Sequence, residues 1–256
     1  MCFDHDSRPP IAPIAGGALD AREVTLTAED GNRFTAYRVR AAEPTGAGIV
    51  ILPDVRGLHP YYTALAERFA EHGVDAIALD YFGRTGGLGV RSAEFEYMPH
   101  VVATTFAGLS ADLKAGAAHL RSEDGGAPAD VFSVGFCFGG RFAFLSSTIG
   151  AGLAGSIGFY GPPTGSGRND MPPPADMAGQ MGNPILGLFG GADPGITPEA
   201  IATFEAALAE AGVEHRIVVA EGAPHSFFDR KYEEFGDASA MAWDEVLAFI
   251  RSHTGR

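Results

Sequence analysis

The hexapeptide Gly135-Phe136-Cys137-Phe138-Gly139-Gly140 directly follows the apolar run Val131-Phe132-Ser133-Val134. It describes a strand that enters a sharp turn, a cysteine at the apex of that turn, and a helix beyond it. This is the cysteine version of the G-x-S-x-G turn. The apex is strained, so the positions two before and two after it must be small, and both are glycine here. The helix, from Phe138 to about Thr148, is expected to point its N-terminal amides at Cys137. Such amides lower a thiol pKa and hold an oxyanion. Taken alone, the hexapeptide also admits a plainer reading, a small buried cysteine in a glycine-rich turn.

Apolar runs alternate with helical patterns on both sides of this turn. Residues 48–52, 74–79, 131–135, 155–160, 184–189 and 215–220 read as strands. Most are continuously apolar, as parallel strands covered on both faces must be. Helical stretches are expected over 61–72, from 98 to about 122, after Cys137, and over 198–211, where Thr197-Pro198 supplies a cap and a first-turn proline. Near the C-terminus Ala240, Trp243, Leu247 and Ile250 fall on one helical face. Ahead of all these, residues 22–27 and 33–40 flank Glu29-Asp30-Gly31-Asn32 and read as an antiparallel hairpin on one sheet edge. The expected fold class is α/β, a mostly parallel, doubly wound sheet with an N-terminal antiparallel hairpin. Residues 1–21 form an extension, and residues 22–256 form a single domain. Residues 161–183, with Pro172-Pro173-Pro174 at their centre, show no period. They follow a strand end, so they are expected to lie over the carboxyl edge of the sheet, where ligands bind in such architectures.

Composition narrows the function classes. The chain has 256 residues, 46% of them hydrophobic and 20% charged, enough for one large α/β domain with a substantial core. A formal net charge of −14 argues against nucleic acid and anionic membranes as partners, and an anionic substrate would need a local basic pocket. Cys2 and Cys137 make no disulfide framework. No signal peptide or bilayer-spanning run is visible, so the expected location is the cytoplasm.

A cysteine nucleophile needs a base, and the base needs an orienting carboxylate. On this template the acid and then the histidine follow the nucleophile, each just past a strand. Asp193 follows the run Ile185-Leu186-Gly187-Leu188-Phe189, and His225 lies a few residues past Ile217-Val218-Val219-Ala220. Alone, Asp193 reads as a turn residue beside Pro194, and His225 as one of eight histidines. Together, in that order, they complete a candidate Cys137-Asp193-His225 triad. Oxyanion donors are expected from the backbone N–H of Phe138 and from the loop after residues 48–52, where Val55 is the candidate.

Five segments carry a family resemblance. They are Pro53-Asp54-Val55-Arg56-Gly57, Leu79-Asp80-Tyr81-Phe82-Gly83-Arg84, the Cys137 hexapeptide, Gly190-Gly191-Ala192-Asp193 and His225-Ser226-Phe227. Across roughly residues 22 to 252 the chain resembles the dienelactone hydrolase family within the α/β-hydrolase fold. The resemblance implies cofactor-free hydrolysis of a small ester or lactone, an anionic one included, through an S-acyl enzyme. It also implies a first-loop carboxylate that holds and deprotonates the resting thiol, a position held here by Asp54. Substrate carboxylate binding is implied for Arg84. The family's second arginine, four residues past the histidine, is replaced by Asp229, with Arg230 next to it. Arg56, Tyr81 and Ser226 are further candidates for the pocket.

Two other readings remain beside a dienelactone-type hydrolase. One is a broader carboxylesterase or thioesterase, and the other is a non-catalytic redox or binding protein on the same fold. No metal site is expected, because His59, His72 and His100 share no i,i+4 pairing and Cys2 has no ligand partner at usable spacing. The string Gly150-Ala151-Gly152-Leu153-Ala154-Gly155 matches G-x-G-x-x-G but leaves a helix and enters a strand, the reverse of a dinucleotide fingerprint.

Overall fold

The computed structural model describes residues 3–255; Cys2 lies outside them. Eight strands form one sheet: β1 (Ala18–Thr27), β2 (Arg33–Ala41), β3 (Ala47–Leu52), β4 (Val74–Leu79), β5 (Asp130–Phe136), β6 (Gly155–Phe159), β7 (Ile185–Gly190) and β8 (His215–Ala220). Their spatial order is β1-β2-β4-β3-β5-β6-β7-β8. The β1–β2 hairpin joins the edge of β4 antiparallel, and every pairing from β4 to β8 is parallel. This is the α/β-hydrolase architecture. All the parallel strands therefore end on one edge, and the loops leaving β3, β5, β7 and β8 meet there.

The helices are α1 (Pro60–Glu71), α2 (Gly83–Gly86), α3 (Tyr97–Ala103), α4 (Phe106–Leu120), α5 (Phe138–Ser146), α6 (Pro198–Glu210) and α7 (Gly236–His253). Both faces of the sheet are covered. On β3, Ile49 and Ile51 join a core that includes Tyr61, Leu65 and Phe69 of α1 and Trp243 and Val246 of α7. Val50 and Leu52, alternating with them, join the core of Leu109 and Leu113 of α4 and Phe142 and Leu145 of α5. That alternation within an unbroken apolar run is the signature of a strand buried on both sides.

Three details differ from the sequence expectations. The helical stretch beginning near residue 98 is two helices, because Thr104 and Thr105 are extended and the Thr105 hydroxyl accepts from the Gly108 N–H as the cap of α4. In α7 the buried line runs through Ser239, Ala242, Trp243, Val246, Phe249 and Ile250, while Ala240 is exposed and Leu247 half-buried. The helix is turned about one residue from the expected face, which lets Trp243 pack 4.8 Å from Phe69, centroid to centroid. Within residues 161–183 lies a 3-10 turn, Pro174–Gln180, opened by the proline run. No helix among the described residues is long and apolar enough to cross a membrane.

The residues ahead of the hairpin pack on the same body. Phe3 is 2% exposed and stacks on Tyr61 at 3.8 Å, with Phe136 and Tyr160 at 6.2 and 6.3 Å. The Arg230 N–H donates to the Arg8 carbonyl at 3.0 Å, and Lys231 bonds Asp4 and Asp6.

Candidate active site

Cys137 sits between the end of β5 and the first turn of α5, with φ 56° and ψ −111°. A non-glycine residue held there stores on the order of 1–3 kcal/mol of strain, which surrounding contacts must offset. Those contacts are close. A Cβ on Gly135 would lie 1.9 Å from the Gly139 carbonyl oxygen, and one on Gly139 would lie 2.1 Å from that of Leu52. The Cys137 N–H donates to Phe159 in β6 at 3.0 Å, and its carbonyl accepts from Arg141 at 3.0 Å. The turn is thus clamped on both sides, and the cysteine side chain projects into the cavity beyond the strand ends.

His225, past β8, shares a hydrogen bond with the Cys137 side chain. Its Nδ1 lies 2.5 Å from Asp193 Oδ2. Asp193, past β7, is buried, and its Oδ1 accepts from the Gly195 N–H at 2.8 Å, so both carboxylate oxygens are engaged. Burial pulls the His225 pKa down, but the hydrogen bonds to Asp193 and Cys137 outweigh it and push the imidazole from 6.5 up to about 9. For Asp193 burial acts upward, and the bond to His225 with its charge brings the carboxyl below its ordinary value. The Tyr160 ring packs 4.9 Å from the His225 ring and backs it.

The cavity over these groups is about 560 Å³, ordinary for a small-molecule site. Val55 and Phe138 line it, beside Cys137, Asp193 and His225. The structure therefore brings together five of the residues singled out in the sequence. The others lie elsewhere. Asp54 is buried, but Oδ1 accepts from the Arg56 N–H at 2.8 Å and Oδ2 faces His59 at 3.9 Å. Its short side chain turns back on its own loop and does not line the cavity. Arg84, expected at the substrate, is turned away from the cavity into two ion pairs. It bonds Asp30 at 2.5 Å in the hairpin turn and Asp112 at 2.9 Å on α4, and also the Gly108 carbonyl. Two carboxylates from flanking elements outcompete a distant cavity for one guanidinium. Arg56 borders a separate small cavity with His5 and His59, and Arg230 borders the groove beneath Pro10–Pro13. Tyr81 is buried with its ring 5.7 Å from Phe138, and Ser226 is buried at φ 60°; neither lines the cavity.

Two cations that the sequence reading passed over do line it, Arg141 and Arg168. Arg141 lies in the first turn of α5, four residues after Cys137, whose carbonyl accepts from its N–H. Arg168 sits in the 161–183 loop and lines the cavity with Pro162, Ser166 and Met171. The loop does lie over the carboxyl edge of the sheet.

Known proteins resemble this chain in sequence and fold. The model of the dienelactone hydrolase family matches residues 34–254. A carboxymethylenebutenolidase of Rhodococcus opacus is 30% identical over 266 residues, covering 99% of this chain and 97% of its own. A crystal structure of a Klebsiella pneumoniae protein assigned to the dienelactone hydrolases superposes with a TM-score of 0.77 at 27% identity, over 91% of this chain and 99% of that one. A dienelactone hydrolase-like promiscuous phosphotriesterase from metagenomic libraries shares the fold, with a TM-score of 0.75 at 22% identity over 94% of this chain and 100% of that one. With a fold, a strand-end turn and a family match that coincide along most of its length, this chain belongs to the dienelactone hydrolase family and is a hydrolase of the carboxymethylenebutenolidase type.

Proposed function

We propose that the protein hydrolyses a small lactone or ester that bears a carboxylate, with Cys137 as nucleophile, His225 as proton carrier and Asp193 as its anchor. The reading rests on one observation, the continuous chain from Asp193 through His225 to Cys137 at the cavity wall. With its pKa raised to about 9, His225 is an imidazolium at neutral pH, and such a partner holds the neighbouring thiol as a thiolate. A thiolate is the attacking form, and a reducing cytoplasm preserves it.

The thiolate attacks the acyl carbon and forms a C–S bond, and the carbonyl electron pair moves to oxygen. Backbone N–H groups of Val55 and Phe138 receive that oxyanion. As the carbonyl re-forms, the C–O bond to the leaving oxygen breaks, and that oxygen takes the His225 proton. In a lactone the leaving oxygen stays on the opened chain as an enol or alcohol. Neutral His225 then takes a proton from water as the water oxygen attacks the thioester. Loss of the C–S bond releases the acid and returns Cys137 to thiolate and His225 to imidazolium. Asp193 fixes the tautomer and offsets the imidazolium charge throughout.

Steady-state hydrolysis of a chromogenic short-chain ester tests the reading. His225→Ala should lower kcat by about two to four orders of magnitude, and Asp193→Asn should be strongly impaired, with the fold intact by circular dichroism. Iodoacetamide should abolish turnover in step with alkylation of Cys137, followed by mass spectrometry. Full turnover by protein quantitatively modified at Cys137 would remove it as nucleophile.

A further inference from the structure

Among the residues lining the cavity, one acid meets two guanidinium groups. The acid, Asp193, is already matched by His225 and the Gly195 N–H. Arg141 is 3% exposed and bonds only carbonyl oxygens, those of Pro162 at 3.1 Å, Thr164 at 3.2 Å, Gly165 at 2.7 Å and Met171 at 3.1 Å. Carbonyls solvate a guanidinium without cancelling its charge, and its Nε is left with no partner among the described residues. A chain with a net charge of −14 thus keeps a buried cation near Cys137 that makes no ion pair among the described residues, with Asp176 acting on it only at longer range.

The four carbonyls come from both limbs of one loop, so Arg141 curls residues 162–171 around itself. The tip is pinned again from outside. Asn169 donates to the Thr104 hydroxyl at 2.9 Å and accepts from the Met171 N–H at 3.2 Å, and Asp170 accepts from the Phe106 N–H at 2.6 Å. Between these anchors stands Arg168, exposed, lining the cavity, and with no hydrogen bond or ion pair among the described residues. A side chain rich in conformational freedom is held at the mouth by its neighbours yet keeps all its donors free. The family-matched Arg84 is the converse, saturated by Asp30 and Asp112 outside the cavity.

We propose that Arg168 binds the carboxylate of the substrate, and that Arg141 holds the loop which places Arg168 there. The proposal rests on the hydrolase reading above and moves the anion contact from Arg84 to the 161–183 loop that lines the same cavity as Cys137. A planar guanidinium takes a carboxylate through two parallel hydrogen bonds, so charge and shape both select for it. Arg141 acts as a positioning residue with no direct role in the chemistry.

Two measurements test it. With 4-nitrophenyl esters of equal chain length, a hemiglutarate and a neutral valerate, Arg168→Gln should lower the anionic-to-neutral ratio of kcat/KM roughly 10- to 150-fold. Arg168→Lys should recover part of it, and Arg84→Gln should leave the ratio within about threefold of wild type, a smaller change than the loss of one charge-assisted contact. The second measurement needs no turnover. Glutarate should protect Cys137 from iodoacetamide, read by mass spectrometry, and Arg168→Gln should raise the protecting concentration about tenfold or more. An unchanged ratio, or a fall for Arg84→Gln in place of Arg168→Gln, overturns the assignment. Equal protection in wild type and Arg168→Gln, or none in either, overturns it as well. If neither ester is hydrolysed while the protection result holds, the hydrolase reading fails and the anion site stands.

Discussion

The proton on His225 decides the state of the site. The imidazole is only 16% exposed, and although burial pulls its pKa down, the hydrogen bonds to Asp193 and Cys137 outweigh that and raise it from 6.5 to about 9. A folded-state pKa above the unfolded value means that folding binds a proton. The stability this contributes is complete below pH 6.5 and is lost as pH rises through about 9. Urea titrations between pH 6 and pH 10 should show wild type losing stability across that window, and His225→Gln losing much less. Parallel curves for the two proteins would place the proton elsewhere. Activity should follow the same group. If imidazolium protonates the leaving oxygen, kcat/KM falls above about pH 9, an alkaline limb set by His225 itself. Asp54 is a contrast, since one carboxylate oxygen accepts from the backbone N–H of Arg56 and the other lies buried 3.9 Å from His59 with no hydrogen bond among the described residues.

At the scale of elements the strand-to-helix turn is the tightest joint in the fold. Helix α5 leaves β5 so closely that backbone passes backbone at Gly135, Gly139 and the end of β3. Gly139→Ala would drive a methyl group to within 2.1 Å of the Leu52 oxygen, a clash with main chain that no side-chain rotation relieves. It should cost about 3 kcal/mol or more by urea denaturation. A loss below about 1 kcal/mol would mean that the turn can widen without harm. This element was legible in the sequence because its chemistry is local: two glycines, an apolar run and an apex residue within one hexapeptide. The parallel strands were legible for a similar reason, since burial on both faces leaves an unbroken apolar run, and the strand bounds found differ from those expected by a residue or so. The break at Thr104-Thr105 was less visible, because two threonines inside a helical pattern are weak punctuation until one of them caps. Arg168 was not visible at all. Its place in the cavity comes from four carbonyls converging on Arg141 and from anchors at Thr104 and Phe106, which join residues far apart in the chain. Arg84 misled for the opposite reason, since its motif matched while its partners, Asp30 and Asp112, lie in segments that the motif does not contain.

Over the whole molecule the residues ahead of the hairpin close the back of the site. Phe3 packs against Tyr61, Phe136 and Tyr160, of which Phe136 precedes Cys137 and Tyr160 supports the His225 ring. Phe3→Ala should therefore lower stability by about 3–5 kcal/mol and also lower kcat, with KM for a small ester little changed. Stability lost with turnover intact would make Phe3 a packing residue only. The same contact has a bearing on how the chain folds. Phe3 is separated from Phe136 and Tyr160 by more than 130 residues of sequence, so its burial is a long-range contact whose loop-closure entropy must be met before the packing rewards it. The seal behind Cys137 therefore forms only once β5 and β6 are side by side, and the wall at the back of the cavity is a late product of the sheet rather than a local property of the turn.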